Sequence, residues 1–331
     1  MELKKGHFVI SLDFEIMWGV RDVVTLDTYG NHLRGVQQVI PKTLSIFTEF
    51  DIKATFCTVG LLFFETKKEM MASIPSSIPE YKNSNLSPYG QYMSENVGEN
   101  FHTDKYHFAP HLIDLIKNTP GQEIGTHTFS HYYCLEEGQT IEDFADDIKA
   151  AVKIAKIRGV EIKSIVFPRN QFNENYIRIC KDAGIIAYRN NELSWLYEAR
   201  NFNNESLIRR MLRLADSYVN LTGYNCYKQQ TVSEFPVNIP SSRFLRPFSH
   251  RLKLLDKLRM RRIKKAMSHA AKNNLIYHLW WHPHNFGINQ QENFQFLREI
   301  LLHYKQLNKK YNFSSITMKD LANQLLSKDG E

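Results

Sequence analysis

The sequence predicts an α/β fold, a parallel sheet or barrel with helices outside. Two observations carry this. Short strand-like apolar runs alternate with longer runs whose apolar residues recur at helical spacing. No internal repeat and no Gly/Ser-rich linker divides the chain, so its 331 residues are expected to form one domain, 1–331.

In order, FVISLDF (8–14) reads as a strand. Residues 34–50 place Val36, Val39, Ile40, Leu44, Phe47 and Phe50 on one helical face. IKATFCTVG (52–60) is a strand, HLIDLIKNT a short helix and QEIGTH a strand. A long helix follows, ended by Gly159. KSIVFP is a strand, NENYIRICKDAG a helix and IIAYR a strand. The last third holds a basic helix, the strand NLIYHLWWH (274–282), a helix near 290–310, a short strand at SSIT and a final helix. Two polar stretches, near 66–108 and 190–250, interrupt the rhythm and are expected to be long loop insertions.

Composition narrows the class. With 43% hydrophobic and 23% charged residues the chain is neither disordered nor fibrous. The four cysteines are scattered, without a C-x-x-C pair, which argues against a disulfide scaffold or zinc ribbon and fits a reducing compartment. No apolar run reaches the roughly 20 residues needed to span a bilayer. Lys4 and Lys5 precede an apolar stretch as in a signal peptide, but Asp13 and Glu15 interrupt it, so a cytosolic location is expected. The net charge of +7 permits an anionic partner without demanding one, and no nucleic acid is expected.

The chemistry-bearing residues fall at strand ends. In residues 8–15, Phe8, Ile10, Leu12 and Phe14 share one face, and Val9, Ser11, Asp13 and Glu15 the other. Two carboxylates at the carboxyl end of a strand sit where barrel enzymes keep their active sites. A helix cap or surface loop would give the same D-x-E pattern. His127 ends another strand, and His131 lies four residues on, the spacing of one helical turn. Two imidazoles and a carboxylate suit Zn²⁺ or a similar divalent ion and leave positions open for water. A pair of surface histidines is the plainer explanation. In YHLWWHPH, His278, Trp280 and His282 face together. His278 reads as a satisfied core residue, and His282, at the strand's mouth before Pro283, as a general acid.

Taken together, FVISLDFE, GQEIGTHTFSH, IVFPRN and YHLWWHPH resemble, in order, the motifs of the polysaccharide deacetylase family, carbohydrate esterase family four. The resemblance implies a deformed (β/α) barrel, often seven-stranded. It also implies metal-dependent hydrolysis of an N-acetyl or related amide on a sugar. It makes Asp13 the general base, Glu15, His127 and His131 the metal ligands and His282 the acid. His284, two residues on past Pro283, is a rival acid because the turn could aim either ring at the leaving group. Pro168 and Arg169 are expected to shape the site, and Arg169 to hold Asp13 ionised or else to be a surface charge. The first motif departs from the family's adjacent pair of Asp by placing Phe14 between Asp13 and Glu15. Zn is the expected metal, with Co, Ni or Mn as alternatives. Trp18, Asn170, Trp281, His284 and Arg246 are candidate substrate contacts. NLSPYGQY (85–92) and NIPSSRFLRPF (238–248) are expected to be substrate-side loops.

The basic segment 251–267 reads as a solvated helix face, or as a contact for an anionic membrane or phosphorylated carrier. A lipid- or nucleotide-linked sugar, as a precursor of a surface polysaccharide, is the expected substrate. Three other functions compete. A cyclic-amide hydrolase of the allantoinase type would need a small closed pocket. A glycosidase with Asp13 and Glu15 as its acid pair would have no use for the histidines. A non-catalytic carbohydrate-binding relative would need none of the chemistry.

Overall fold

β1 (His7–Phe14) is buried along its whole length and forms the middle of a parallel sheet. The computed structural model describes residues 5–198 and 206–326. After β1 come β2 (Ala54–Thr58), β3 (Gln122–Thr126), β4 (Ser164–Val166) and β5 (Ala187–Arg189). The chain continues with β6 (Val237–Asn238), β7 (Arg243–Phe244), β8 (Ile276–Trp281) and β9 (Ser314–Ile316). The spatial order is β6-β5-β4-β3-β2-β1-β8-β7, with β9 against β1, and every pairing is parallel.

β6 and β7 are two ends of one extended segment. The N–H groups of Val237, Ile239 and Ser241 donate to the carbonyls of Ile186, Tyr188 and Asn190, on and around β5. A few residues on, Ser242 and Leu245 donate to the carbonyls of His278 and Trp280 in β8. The segment thus leans first on one edge of the sheet and then on the other, and the sheet curls round. Nine named strands therefore stand against the seven expected, because one strand is split in two and β9 is added. β9 pairs with His7–Val9 at the foot of β1, while β2 takes Ser11–Phe14.

The stretch 190–250 is accordingly not a plain loop insertion. It supplies β6, β7 and the helix Leu207–Asp216. NIPSSRFLRPF is mostly this split strand rather than a substrate loop; Pro240, which lacks an N–H, sits where it divides. The stretch 66–108 holds short helices at Lys67–Ala72 and Gln91–Asn96. In NLSPYGQY, Leu86 and Tyr89 are buried.

Strand alternation sorts the core into two layers. Phe8, Ile10, Leu12 and Phe14 pack outward among the helices. Val9 faces inward with Cys57, Val166, Ala187 and Ile276. Burial on both faces explains why β1 reads as a nearly unbroken apolar run. The helix Met318–Leu325 closes the bottom of this interior. Its first N–H donates to Thr55 Oγ1, and Met318, Leu321 and Leu325 join the inner cluster.

The helix Leu26–Glu49 starts eight residues before the apolar pattern suggests. A capping box between Thr25 and Thr28 satisfies its first N–H groups. This helix lies so close to the turn after β8 that a Cβ on Gly35 would sit 2.1 Å from the Gly287 carbonyl oxygen. Only a glycine pair permits that approach, and it fixes the turn that carries His282 and His284.

Candidate active site

The inward rows of β1, β3, β5 and β8 converge at their carboxyl ends. Glu15 follows β1, and His127 follows β3 in line with Gly125 and Glu123. The Nδ1–H of His127 donates to the Val166 carbonyl over 2.7 Å, which leaves Nε2 as a bare donor atom. That Nε2 lies 3.2 Å from Glu15 Oε2, and His131 Nε2 lies 3.0 Å from the same oxygen. One ligand atom from each of the three buried residues falls within 4.8 Å of the other two.

A helical turn does not bring the histidines together. Residues 127–131 form a loop in which Thr128 and His131 have φ of 63° and 62°. Asp147, reaching in from the helix Ile141–Ile157, holds it. One carboxylate oxygen accepts from Phe129 N over 2.7 Å; the other accepts from Ser130 N over 3.1 Å and from the Ser130 hydroxyl. Burial pushes this carboxyl up to about 6, against the pull of those donors. Gly19 makes room for Glu15. A Cβ there would lie 2.3 Å or less from all three atoms of the carboxylate group.

Burial opposes ionisation of Glu15, yet His282, His127 and His131 together hold its carboxyl well below the usual range. Burial in turn lowers the His131 imidazole to about 4, so it stays neutral. A carboxylate and two imidazoles, all buried, one imidazole with its Nδ1–H already engaged by a backbone carbonyl, are a fitting donor set for a divalent ion.

Beside this cluster Asp13 meets Arg189. The two terminal nitrogens of Arg189 lie 2.7 Å from the two carboxylate oxygens. Burial alone would raise the Asp13 carboxyl, but Arg189 keeps it below its ordinary value. Arg189 Nη1 also donates to Ser11 Oγ over 3.0 Å, and Ser11 pairs with His278 Nε2 at 2.8 Å. The other nitrogen of His278 faces the Ile239 carbonyl at 3.2 Å. His278 is thus a satisfied core residue, as expected, and it braces Arg189 from below.

The partner of Asp13 is therefore Arg189, not Arg169. Arg169 pairs with Asp22 and stacks on Tyr133, 4.4 Å from its ring centre. Its left-handed backbone, φ 52°, turns it away from the strand line. Arg189 ends the strand IIAYR, the same kind of position that singled out Asp13 and His282, so strand-end placement could have found it.

His282 Nε2 lies 3.7 Å from Asp13 and 3.6 Å from Glu15, and its ring is partly exposed. His284 lies deeper, with Nδ1 3.9 Å from Glu15; its ring runs parallel to that of His282, 5.0 Å away. Burial lowers His284 to about 3.

Of the expected substrate contacts, Asn170 is at the site, accepting from Arg189 over 3.1 Å. Trp18 and Trp281 are not available to a substrate. Trp18 is fully buried and donates to the His107 carbonyl. Trp281 packs outward against Phe47 and Phe286, as its place one residue out of register with His282 requires. Trp280 is the tryptophan at the mouth, under Arg189 at 4.1 Å and beside His282 at 5.6 Å. Arg246 is committed to Ser217 Oγ at 2.7 Å. A cleft of about 610 Å³ opens on the segment after Arg189, lined by Phe172, Asn190, Asn191, Leu193 and Trp195 among others.

The sequence model of the family described as "Polysaccharide deacetylase" matches residues 22–188, half of the chain. The chain belongs to the polysaccharide deacetylase family. The match includes His127 and His131; Asp13, Glu15, Arg189 and His282 lie outside it and are joined to the site by the fold. Two solved structures described as polysaccharide deacetylases share this family's architecture with the chain. That from Mycobacterium smegmatis has a TM-score of 0.60 at 11% identity, covering 97% of this chain and 90% of its own. That from Pseudomonas aeruginosa PAO1 has a TM-score of 0.53 at 11% identity, covering 96% and 89%. PuuE allantoinase is similar at a TM-score of 0.50 and 11% identity, covering 96% and 88%. At that identity the likeness concerns the fold alone. A comparison with curated protein sequences gave no match.

Proposed function

We propose that this deacetylase-family protein is a metal-dependent hydrolase that removes an N-acetyl or related acyl group from an amino sugar. The observation that carries the reading is the convergence of Glu15, His127 and His131 on one point beside the Asp13–Arg189 pair. Zn²⁺ is the proposed ion, with Co²⁺, Ni²⁺ or Mn²⁺ as alternatives. When bound by these three residues, it would polarise the acyl carbonyl and acidify a water.

The chain's own residues do the rest. Asp13, kept ionised by Arg189, takes the proton from the attacking water. The water oxygen bonds to the acyl carbon. His282, within reach of both carboxylates and open to the mouth, gives a proton to the nitrogen as the C–N bond breaks. The products are a carboxylic acid and a free amine. Trp280 and the cleft beyond Arg189 offer aromatic surface and amide groups to a sugar ring.

The substrate is proposed to be a precursor of a surface polysaccharide. The reaction is proposed to occur in the cytosol, in keeping with four cysteines that are free in the fold. Fractionation of cells tests the location. The function is tested by reconstituting the protein with each metal and measuring acetate release from N-acetylated amino-sugar oligomers, with Asp13→Asn as control. Turnover of allantoin with no acetate from any N-acyl sugar would replace this reading with the cyclic-amide hydrolase.

A further inference from the structure

The helix Leu207–Asp216 is inside out. Its buried residues are Arg209 and Asp216. Its apolar side chains face solvent among the described residues: Leu207 is 73% exposed, Ile208 70% and Met211 69%. This orientation is built into the fold. Arg209 donates to the Trp195 carbonyl, and Asp216 is gripped by Arg243 at 2.6 Å, by Arg262 at 3.4 Å and by the Tyr197 hydroxyl at 2.8 Å. A helix anchored by its polar side holds its apolar side outward.

Exposed apolar side chains continue on both flanking segments. Leu193 and Trp195 are exposed on the segment to which Arg209 ties it, and Val219 and Leu221 on the segment after it. Leu254, 94% exposed, lies at the start of the neighbouring basic region. That region, residues 251–272, carries nine Lys or Arg against one acidic residue. It joins the helix through Arg262 and Asp216, and exposes Arg251, Lys253, Lys257, Arg261 and Lys265.

The face also has a place relative to the chemistry. Asn190 to Trp195 follow Arg189 directly, at the carboxyl end of β5, so the helix is tethered one segment away from the Asp13–Arg189 pair. No described helix is long and apolar enough to cross a membrane.

We propose that this face lies on an anionic lipid surface. Leu207, Ile208 and Met211 enter the acyl boundary while the 251–265 cations meet the headgroups. Exposed aliphatic side chains on one helix, with exposed cations on the basic segment tied to it through Arg262 and Asp216, match a bilayer interface. A second copy of this chain would bring the same cations against themselves. It follows, resting on the deacylase reading above, that the substrate is an amphiphile: an N-acyl sugar on a lipid carrier, whose head reaches the mouth while its tail stays in the bilayer.

Vesicle flotation tests the surface without any chemistry. Two vesicle preparations serve as probes, phosphatidylglycerol mixed with phosphatidylcholine, and phosphatidylcholine alone. The full chain should float with the anionic vesicles and come off as salt is raised. The triple variant Leu207→Ser, Ile208→Ser, Met211→Ser should lose flotation while keeping the wild-type melting temperature and its turnover of a soluble N-acetyl sugar. The charge variant Lys253→Glu, Lys257→Glu should lose anionic-vesicle binding too. Wild type that ignores both vesicles, or a triple variant that floats like wild type, overturns the proposal. So does a wild-type oligomer that the triple variant dissolves while neither protein binds vesicles. Flotation with no turnover of any N-acyl sugar leaves the surface standing and defeats the deacylase reading instead.

Discussion

Arg189 holds Asp13 by both carboxylate oxygens, each 2.7 Å from a guanidinium nitrogen, in a setting where both side chains are buried. Charge-assisted pairs of this bidentate kind fix geometry as well as ionisation. Arg189→Met should leave a buried carboxylate without its cation, and removing one partner of such a pair costs about 3–5 kcal/mol. Chemical denaturation should show that loss, with activity falling alongside it. The double variant Asp13→Asn, Arg189→Met should recover part of the stability and none of the activity. An Arg189→Met protein as stable as wild type would contradict the pairing.

Asp13→Asn alone separates base from ligand. Metal content, read by atomic absorption after dialysis, should match wild type, because Glu15, His127 and His131 are intact. Turnover should fall by about 10²–10⁴, the usual contribution of a positioned acid or base. Loss of metal together with turnover would make Asp13 a ligand instead.

His282→Ala should likewise retain metal and lose kcat, since its Nε2 faces both carboxylates from the open mouth. His284→Ala should chiefly reduce stability, its ring being buried and parallel to that of His282. A greater kcat loss in the His284 variant at equal metal content would exchange the two assignments.

Gly19→Ala should abolish metal binding without touching a ligand. The added methyl would occupy the space of the Glu15 carboxylate, which must then swing away. In wild type, metal at a hundred times its Kd should raise stability by about 2.7 kcal/mol. The variant's melting temperature should not respond to metal, and a wild-type response there would exclude this role for Gly19.

His278 sets an acid limit on the fold. Burial chiefly, with Arg189 adding, lowers its imidazole from 6.5 to about 3. As pH falls below 6.5 the unfolded chain takes up a proton that the folded chain refuses. The stability present above pH 6.5 is therefore lost on acidification towards pH 3, by about 1.4 kcal/mol per pH unit for this group. Urea midpoints measured down the pH scale should fall less steeply for His278→Gln than for wild type. Equal slopes would show that His278 does not contribute.

Much of this was legible in the sequence, and the gaps have physical causes. Period-two alternation put Asp13 and Glu15 on one face and His282 above Trp280, because a strand admits only that geometry. The closing strand was invisible because β6 and β7 are two residues each, too short for any period to register. The loop of His131 was mistaken for a helical turn because its shape comes from Asp147, sixteen residues further on, and from two left-handed residues. Arg169 stands out in the sequence because it belongs to the FPRN motif, whereas the pairing depends on which strand end faces β1 across the barrel. Trp18 is fully buried because its indole packs against His107 and Tyr92, contacts distant in sequence that no local pattern announces.

β1 carries Asp13 and leads directly into Glu15, yet two of its three neighbours come from 276–281 and 314–316. Chains leave the ribosome N-terminus first. Asp13 and Glu15 are thus made well before residues 276–281 and 314–316, and β1 stays unpaired on that side until those residues emerge. Contacts so distant in sequence are slow to form. A chain that stops short of β8 carries Asp13 and Glu15 without the strand that brings His282 to them.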